Sequence, residues 1–178
     1  MRIIAGLAKG RRLFAPTGDH TRPSADRVRE ALFSVIMTRI PGAKVLDAFA
    51  GSGALGLEAL SRGADSALFI EQDKNALKAL SRNVENCRFT GAKIHIGNAL
   101  HFLKQSKECY DIIFLDPPYH TDLLTQALTI IQDGHTLATG GLIVAETAKK
   151  ASFYPPTGLA QIKTSNYGDT ALYYLVRE

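Results

Sequence analysis

Apolar and polar positions along this chain follow two different rhythms, and the change comes at Pro41-Gly42. Upstream, residues 2–5 and 11–15 read as a short basic hairpin paired across Gly6 to Gly10. A loop rich in Pro, Gly, Thr and Asp follows over residues 16–23. Ser24 then opens a helix that collects Val28, Leu32, Val35 and Ile36 on one face and leaves Arg27, Arg29 and Glu30 largely off it. Downstream, strand and helix signals alternate. Residues 44–49 predict a strand, 54–62 a helix and 66–71 a second strand. Asp73 caps a helix carrying Leu77, Leu80 and Val84. Residues 93–96 and 110–115 are further strands, with a short helix from Ala99 between them. Thr121 caps a helix that turns Leu124, Leu128 and Ile131 inward, and residues 141–146 form a fifth strand. The tail, 159–163 and 170–176, reads as an antiparallel pair joined around Tyr167-Gly168-Asp169.

Strands separated by helices predict an α/β fold, a parallel sheet with helices on both faces, because right-handed crossovers place them there. Ligands in such sheets bind beyond the C-terminal strand ends. Phe49, Glu71, Gly97-Asn98 and Asp116 all fall at those ends.

Composition narrows the class. A chain of 178 residues, 46% apolar and 21% charged, fits one compact unit with a sizeable core. No apolar run reaches the ~20 residues that span a bilayer, and the start lacks the apolar stretch of a signal peptide. Cys87 and Cys109 have no partners at metal-ligand spacing. The expectation is a cytoplasmic, metal-free protein without membrane contact. Charge is unevenly placed. Residues 1–39 hold eight basic and three acidic side chains, +5 in a chain whose net charge is +4, which leaves −1 for the rest. A basic front of residues 1–40 before a body of residues 41–178 points to a polyanion partner. Arg2, Lys9, Arg11, Arg12, Arg22, Arg27 and Arg29 are the candidate phosphate contacts.

Gly51-Ser52-Gly53-Ala54-Leu55-Gly56 has the G-x-G-x-x-G spacing of a dinucleotide loop, with Glu71 twenty residues after Gly51. Asp47 stands four residues before the first glycine and would repel the diphosphate that such a loop holds on its helix. It favours a ligand bearing an ammonium and a sulfonium, which describes S-adenosyl-L-methionine. Gly51 and Gly53 then let backbone approach the cofactor. Phe49 flanks the loop, Glu71 accepts the ribose hydroxyls through its two oxygens, and Asn98 meets the adenine edge. Gln72 and Ala99, adjacent to these, complete the set.

The second motif is Asp116-Pro117-Pro118-Tyr119 at the end of strand 110–115. Two prolines remove two backbone donors and fix the direction of the chain. A carboxylate and free carbonyls remain beside an aromatic ring, a set of acceptors suited to an exocyclic amino group on a nucleobase. Asp116 and the Pro117 carbonyl would take the amine hydrogens, and Tyr119 would stack on the base.

With these motifs the chain resembles the RsmD family of bacterial 16S ribosomal RNA guanine-N2 methyltransferases. Residues 47–59, Asp-Ala-Phe-Ala-Gly-Ser-Gly-Ala-Leu-Gly-Leu-Glu-Ala, look like its first motif. Arg2-Ile3-Ile4-Ala5-Gly6, Lys9-Gly10-Arg11 and the run from Arg22 to Phe33 look like its N-terminal signatures. The tetrad and Tyr167-Gly168-Asp169-Thr170 agree, so the resemblance covers essentially the whole chain. It implies a Rossmann-like class I S-adenosylmethionine-dependent methyltransferase with a seven-stranded, mostly parallel sheet. It also implies methylation of one guanine of 16S rRNA in an assembling small ribosomal subunit; a monomer is the separate expectation. Two positions depart from the pattern: Asn98 stands where related enzymes often have Asp, and Ser34 where Asn is expected.

Three other readings remain at this point. The tetrad serves adenine N6 equally well, so a DNA adenine methyltransferase is one, although no segment is left for DNA recognition. A catalytically silent RNA-binding assembly factor with a vestigial pocket is the second. A dinucleotide oxidoreductase is the third, disfavoured by Asp47.

Overall fold

The structure, a computed structural model, describes residues 1–16, 23–119, 121–149 and 153–178. Its elements run α1 (Pro23–Val35), a 3-10 turn (Met37–Arg39), β1 (Lys44–Asp47), α2 (Ala54–Ser61), β2 (Ser66–Glu71), α3 (Lys74–Cys87) and β3 (Ala92–Ile96). They continue as α4 (Ala99–Gln105), β4 (Tyr110–Leu115), α5 (Leu123–Asp133), β5 (Leu137–Ala148), β6 (Leu159–Tyr167) and β7 (Thr170–Arg177). The seven strands form one sheet in the order β3-β2-β1-β4-β5-β7-β6. The pairs from β3 to β5 are parallel, while β7 runs antiparallel to both β5 and β6. This is the class I methyltransferase sheet that the resemblance implies.

Strand alternation sends successive side chains to opposite faces, and two cores result. On one face Val45, Phe114, Val144 and Tyr174 pack with Ile3, Leu13, Leu32, Phe33, Leu57 and Leu80. On the other, Leu46, Ile70, Ile113, Ile143 and Leu175 pack with Leu103 of α4 and with Leu124, Leu128 and Ile131 of α5. The N-terminal segment and α1 to α3 therefore cover one face, and α4 and α5 the other. No helix among the described residues is long and apolar enough to cross a membrane.

The structure revises four sequence expectations. The N-terminal pairing is shorter than expected: the Arg2–Arg12 antiparallel bridge is flanked by backbone bonds from Ile3 N–H to the Arg11 carbonyl and from Leu13 N–H to the Met1 carbonyl, and beyond these side chains of the body take the amides. Glu58 accepts from Ile4 and Ala5 at 2.8 and 3.0 Å, and Asn83 accepts from Phe14 at 2.7 Å. Helix α1 begins at Pro23 rather than Ser24, a residue type favoured in the first helical turn. Asp122, not Thr121, precedes α5, and the Thr121 hydroxyl donates instead to the Pro118 carbonyl at 2.8 Å. Strand β5 starts at Leu137, before the Gly140-Gly141 pair that looks like a break. Gly140 turns at a φ of 74° beside a register shift opposite Tyr110 and Ile112, so the chain bulges and continues.

Candidate active site

The strand register brings the motifs together. Asp47 pairs with Phe69 on one side and Phe114 on the other, Glu71 with Ile96, and Leu115 with Ala145. The C-terminal ends of five parallel strands thus open on a single cleft of about 1150 Å³. Asp47, Phe49, Gly51, Glu71, Gln72, Asn98, Ala99 and the whole tetrad line it, although they are spread from position 47 to position 119 of the sequence.

After β1 the chain turns through Gly51 and Gly53, at φ of 53° and 79°, a region costly for any side chain. A Cβ on Gly51 would touch no protein atom within 4 Å, so the space against this backbone is open. Gly56 serves packing instead, since its Cβ would lie 2.3 Å from Phe69 Cε1. Asp47 Oδ2 accepts from the Gly56 amide at 3.0 Å and is almost fully buried. Burial pushes its pKa up to about 7; the Gly56 amide opposes the shift and the Glu71 charge adds to it.

Glu71 braces the same turn. Its Oε2 accepts from Gly51 N–H at 2.8 Å, and its Oε1 accepts from Gln72 and Asp73 at 2.7 and 2.8 Å. With two amides already on Oε1, only Oε2 keeps an easily reached acceptor site for a ribose hydroxyl. Asn98 is also committed internally. It caps α4 by accepting from His101 N–H at 3.0 Å, and its amide donates to Gln72 Oε1 at 3.2 Å. These bonds lock the ends of β2 and β3 into one wall, with Ala99 buried behind it.

At the tetrad, Pro117 is buried while Pro118 and Tyr119 are exposed. The Pro118 carbonyl is taken by Thr121, so it is not among the free acceptors expected from the sequence. The Tyr119 hydroxyl donates to Glu146 Oε1 at 2.9 Å and lies 3.4 Å from Thr170 Oγ1. Burial drives the Tyr119 pKa well up, and the Glu146 charge reinforces it, so the phenol keeps its proton. Burial also raises the Glu146 pKa, against the opposing Tyr119 hydrogen bond.

The lining is strongly acidic. Asp47, Glu71, Asp73, Asp116, Glu146 and Asp169 face it, and Arg29 is its one basic side chain among the described residues. Such a donor set suits a cationic ligand and repels a diphosphate. The open backbone at Gly51 leaves room for a close approach, so the residues present fit S-adenosylmethionine and do not fit a dinucleotide.

The basic candidates divide. Arg2, Lys9, Arg11, Arg12 and Arg27 are exposed, and Arg2, Lys9 and Arg27 border a smaller hollow of about 360 Å³. Arg22 lies outside the described residues. Arg29 is the correction: only 4% exposed, it bonds the Arg2 carbonyl and Asp26 and lies 3.9 Å from Glu58. A guanidinium spent inside the fold presents no charge to a phosphate.

Besides Asp73 and Asp169, sequence reasoning missed Glu146 as a residue lining the cleft. It ends the fifth strand read from the sequence, and the strand-end rule applied to the other four would have found it. Asn83 and Glu58, both fully buried, gave no such signal, because polar residues on helices read as solvent-facing.

Comparison with known proteins matches residues 1–176 to a family model described as Conserved hypothetical protein 95. Ribosomal RNA small subunit methyltransferase D of Haemophilus influenzae is 38% identical over 172 residues, 94% of this chain and 89% of that protein. The protein of the same name from Escherichia coli is 42% identical over 147 residues, 83% of this chain and 74% of its own length. A solved Escherichia coli structure, yhhF, is 37% identical with a TM-score of 0.89, covering 100% of this chain and 98% of that one.

Proposed function

Because this chain belongs to the Conserved hypothetical protein 95 family, the RsmD family that its motifs resemble, we propose that it methylates 16S rRNA of the small ribosomal subunit at the N2 of one guanine. One observation carries the reading: the amine-accepting tetrad and the acidic glycine turn open on the same cleft. S-adenosylmethionine bound there would supply an electrophilic methyl on a sulfonium. Asp47, Glu71, Asn98 and the backbone of Gly51 would hold it.

The chain's own residues prepare the nucleophile. Guanine N2 is weakly nucleophilic because its lone pair is conjugated with the ring. When Asp116 and the Pro117 carbonyl accept its two N–H bonds, the nitrogen pyramidalises and exposes that lone pair. The methyl would pass from the sulfonium, which would leave as a neutral thioether, to that lone pair, and the resulting cationic amine, held by Asp116 and the Pro117 carbonyl, would release a proton to water. Rate enhancement comes from in-line placement and from acceptors fixed beforehand around the developing positive charge. The Tyr119 ring, tethered through its hydroxyl and 40% exposed, offers a stacking face to a base withdrawn from its helix. The exposed residues Arg2, Lys9, Arg11, Arg12 and Arg27 would hold flanking phosphates.

The test uses unmodified small-subunit particles, methyl-labelled S-adenosylmethionine and nucleoside analysis of the digested RNA. N2-methylguanosine is the expected product. Asp116→Ala is expected to lower transfer at least about a hundredfold while cofactor binding persists. N6-methyladenosine, or near-normal turnover by Asp116→Ala, would overturn the reading.

A further inference from the structure

We propose that Glu146 is the residue that selects guanine, by accepting the purine N1–H while Asp116 and the Pro117 carbonyl hold the adjacent N2 amine. This rests on the guanine-N2 reading above and supplies what the tetrad lacks, since the tetrad accepts an amine of either purine.

The geometry carries it. Leu115 pairs with Ala145, so the next residues, Asp116 and Glu146, leave neighbouring parallel strands at one level. Alternation puts both on the face of Phe114 and Val144, which is the face covered by the N-terminal helix. Adjacent strands lie about 4.8 Å apart, which sets two carboxylates on neighbouring hydrogen-bonding positions of one base edge. Both line the cleft. Glu146 is half-buried, its Oε1 is fixed by the Tyr119 hydroxyl at 2.9 Å, and among the described residues no hydrogen bond reaches Oε2. Tyr119 thus aims the carboxylate and leaves one oxygen for a ligand donor.

Guanine presents a donor at N1 beside its amine. Adenine presents a lone pair at N1, which the Glu146 carboxylate rejects in its ionised form, the form that the Tyr119 hydrogen bond favours against burial. One side chain can therefore separate the two purines, and the same hydrogen bond turns the N2 amine toward Asp116. Glu146 is a specificity residue here and takes no part in the transfer itself.

2,6-Diaminopurine isolates this hydrogen bond, since it keeps the N2 amine but has a lone pair at N1. Once the acceptor guanosine has been mapped by sequencing nuclease fragments of the methyl-labelled rRNA, a synthetic segment carrying 2,6-diaminopurine riboside at that position is ligated into the rRNA. The wild-type protein is expected to prefer guanosine by about tenfold or more in initial rate. Glu146→Gln, whose amide can donate to N1, is expected to lose most of that preference while binding S-adenosylmethionine normally. Equal rates of the wild type on both substrates would overturn the inference, and this arm needs no variant to fold. An unchanged preference in Glu146→Gln with a lower rate would also overturn it, leaving Glu146 as a brace for Tyr119. If guanosine itself is not methylated, the failure lies instead with the proposed function.

Discussion

Asp47 and Asp116 both end strands, yet their surroundings give them different chemistry. Asp116 sits at the cleft where substrate amine hydrogens need acceptors. Asp47 is enclosed, and burial lifts its pKa from 3.8 to about 7, with the Gly56 amide opposing and Glu71 adding. The folded protein without cofactor therefore holds a proton on Asp47 that the unfolded chain releases above pH 3.8. Between these two values the folded state binds more protons, so its stability falls as pH rises through that window. A cationic cofactor works the other way, because it is attracted only to the ionised carboxylate. Its affinity is expected to rise with pH up to about 7 and then level off, with a proton released on binding below that point. Calorimetric titration from about pH 5.5 to about pH 8 in buffers of different ionisation enthalpy measures both quantities. Asp47→Asn should flatten the slope; a slope that survives would remove Asp47 from the cofactor's field. The type of these residues was legible in the sequence, since carboxylates at strand ends follow from periodicity. Their commitments were not. That the Asn98 amide bonds Gln72 and that Thr121 occupies the Pro118 carbonyl depend on side-chain rotamers, which no spacing rule encodes.

At the scale of elements, the strands and helices followed from hydrophobic rhythm because each buries one face or both, and β2, β4 and β7 fell close to expectation, while β6 runs on to Tyr167. The departures occur where a polar side chain replaces a backbone partner. On α3 Leu80 is fully buried and Leu77 and Val84 pack partly buried against the same core, as the sequence pattern suggests, but Ala76, Ala79, Asn83 and Cys87 are buried as well. Asn83 turns the helix to that face because its amide donates to the Phe14 and Ser52 carbonyls at 2.8 and 2.9 Å. It thereby ties the N-terminal segment to the glycine turn. Glu58 does the equivalent on α2, accepting from Ile4, Ala5 and Arg62 while fully buried. Removing its carboxylate strands two amides and leaves Arg29, among the described residues, only Asp26 and the Arg2 carbonyl as hydrogen-bond acceptors. Glu58→Ala is therefore expected to cost about 3–5 kcal/mol of stability, measured by urea denaturation. A loss under about 1 kcal/mol would show that water replaces the carboxylate and that the N-terminal segment is held by apolar packing alone.

Charge differs between two parts of the molecule: carboxylates line the cleft, while Arg2, Lys9, Arg11, Arg12 and Arg27 are exposed on the N-terminal segment and α1. The sequence showed the excess of basic residues but presented residues 1–40 as an extension beside the methyltransferase body. In the structure Ile3, Ala8 and Leu13 belong to the core, and the Leu7 and Ala8 amides bond Ser61 at 2.7 and 2.9 Å. Basic side chains on so firmly held a backbone form a fixed surface at the edge of the cleft, since Met1, Val28 and Arg29 also line it. Deleting the segment would thus remove core along with charge and weaken RNA and cofactor binding together. Charge reversal separates the two effects. Lys9→Glu and Arg27→Glu alter exposed side chains that border one hollow and leave the core untouched. Each is expected to weaken binding of small-subunit RNA and leave S-adenosylmethionine affinity unchanged. Each should also lower the slope of log affinity against log salt by about 0.7 to 0.9 for every phosphate that is no longer neutralised. Filter binding over a salt series reads that slope. An unaltered slope in both variants would move the phosphate track off this face and place the RNA on the opposite lip of the cleft.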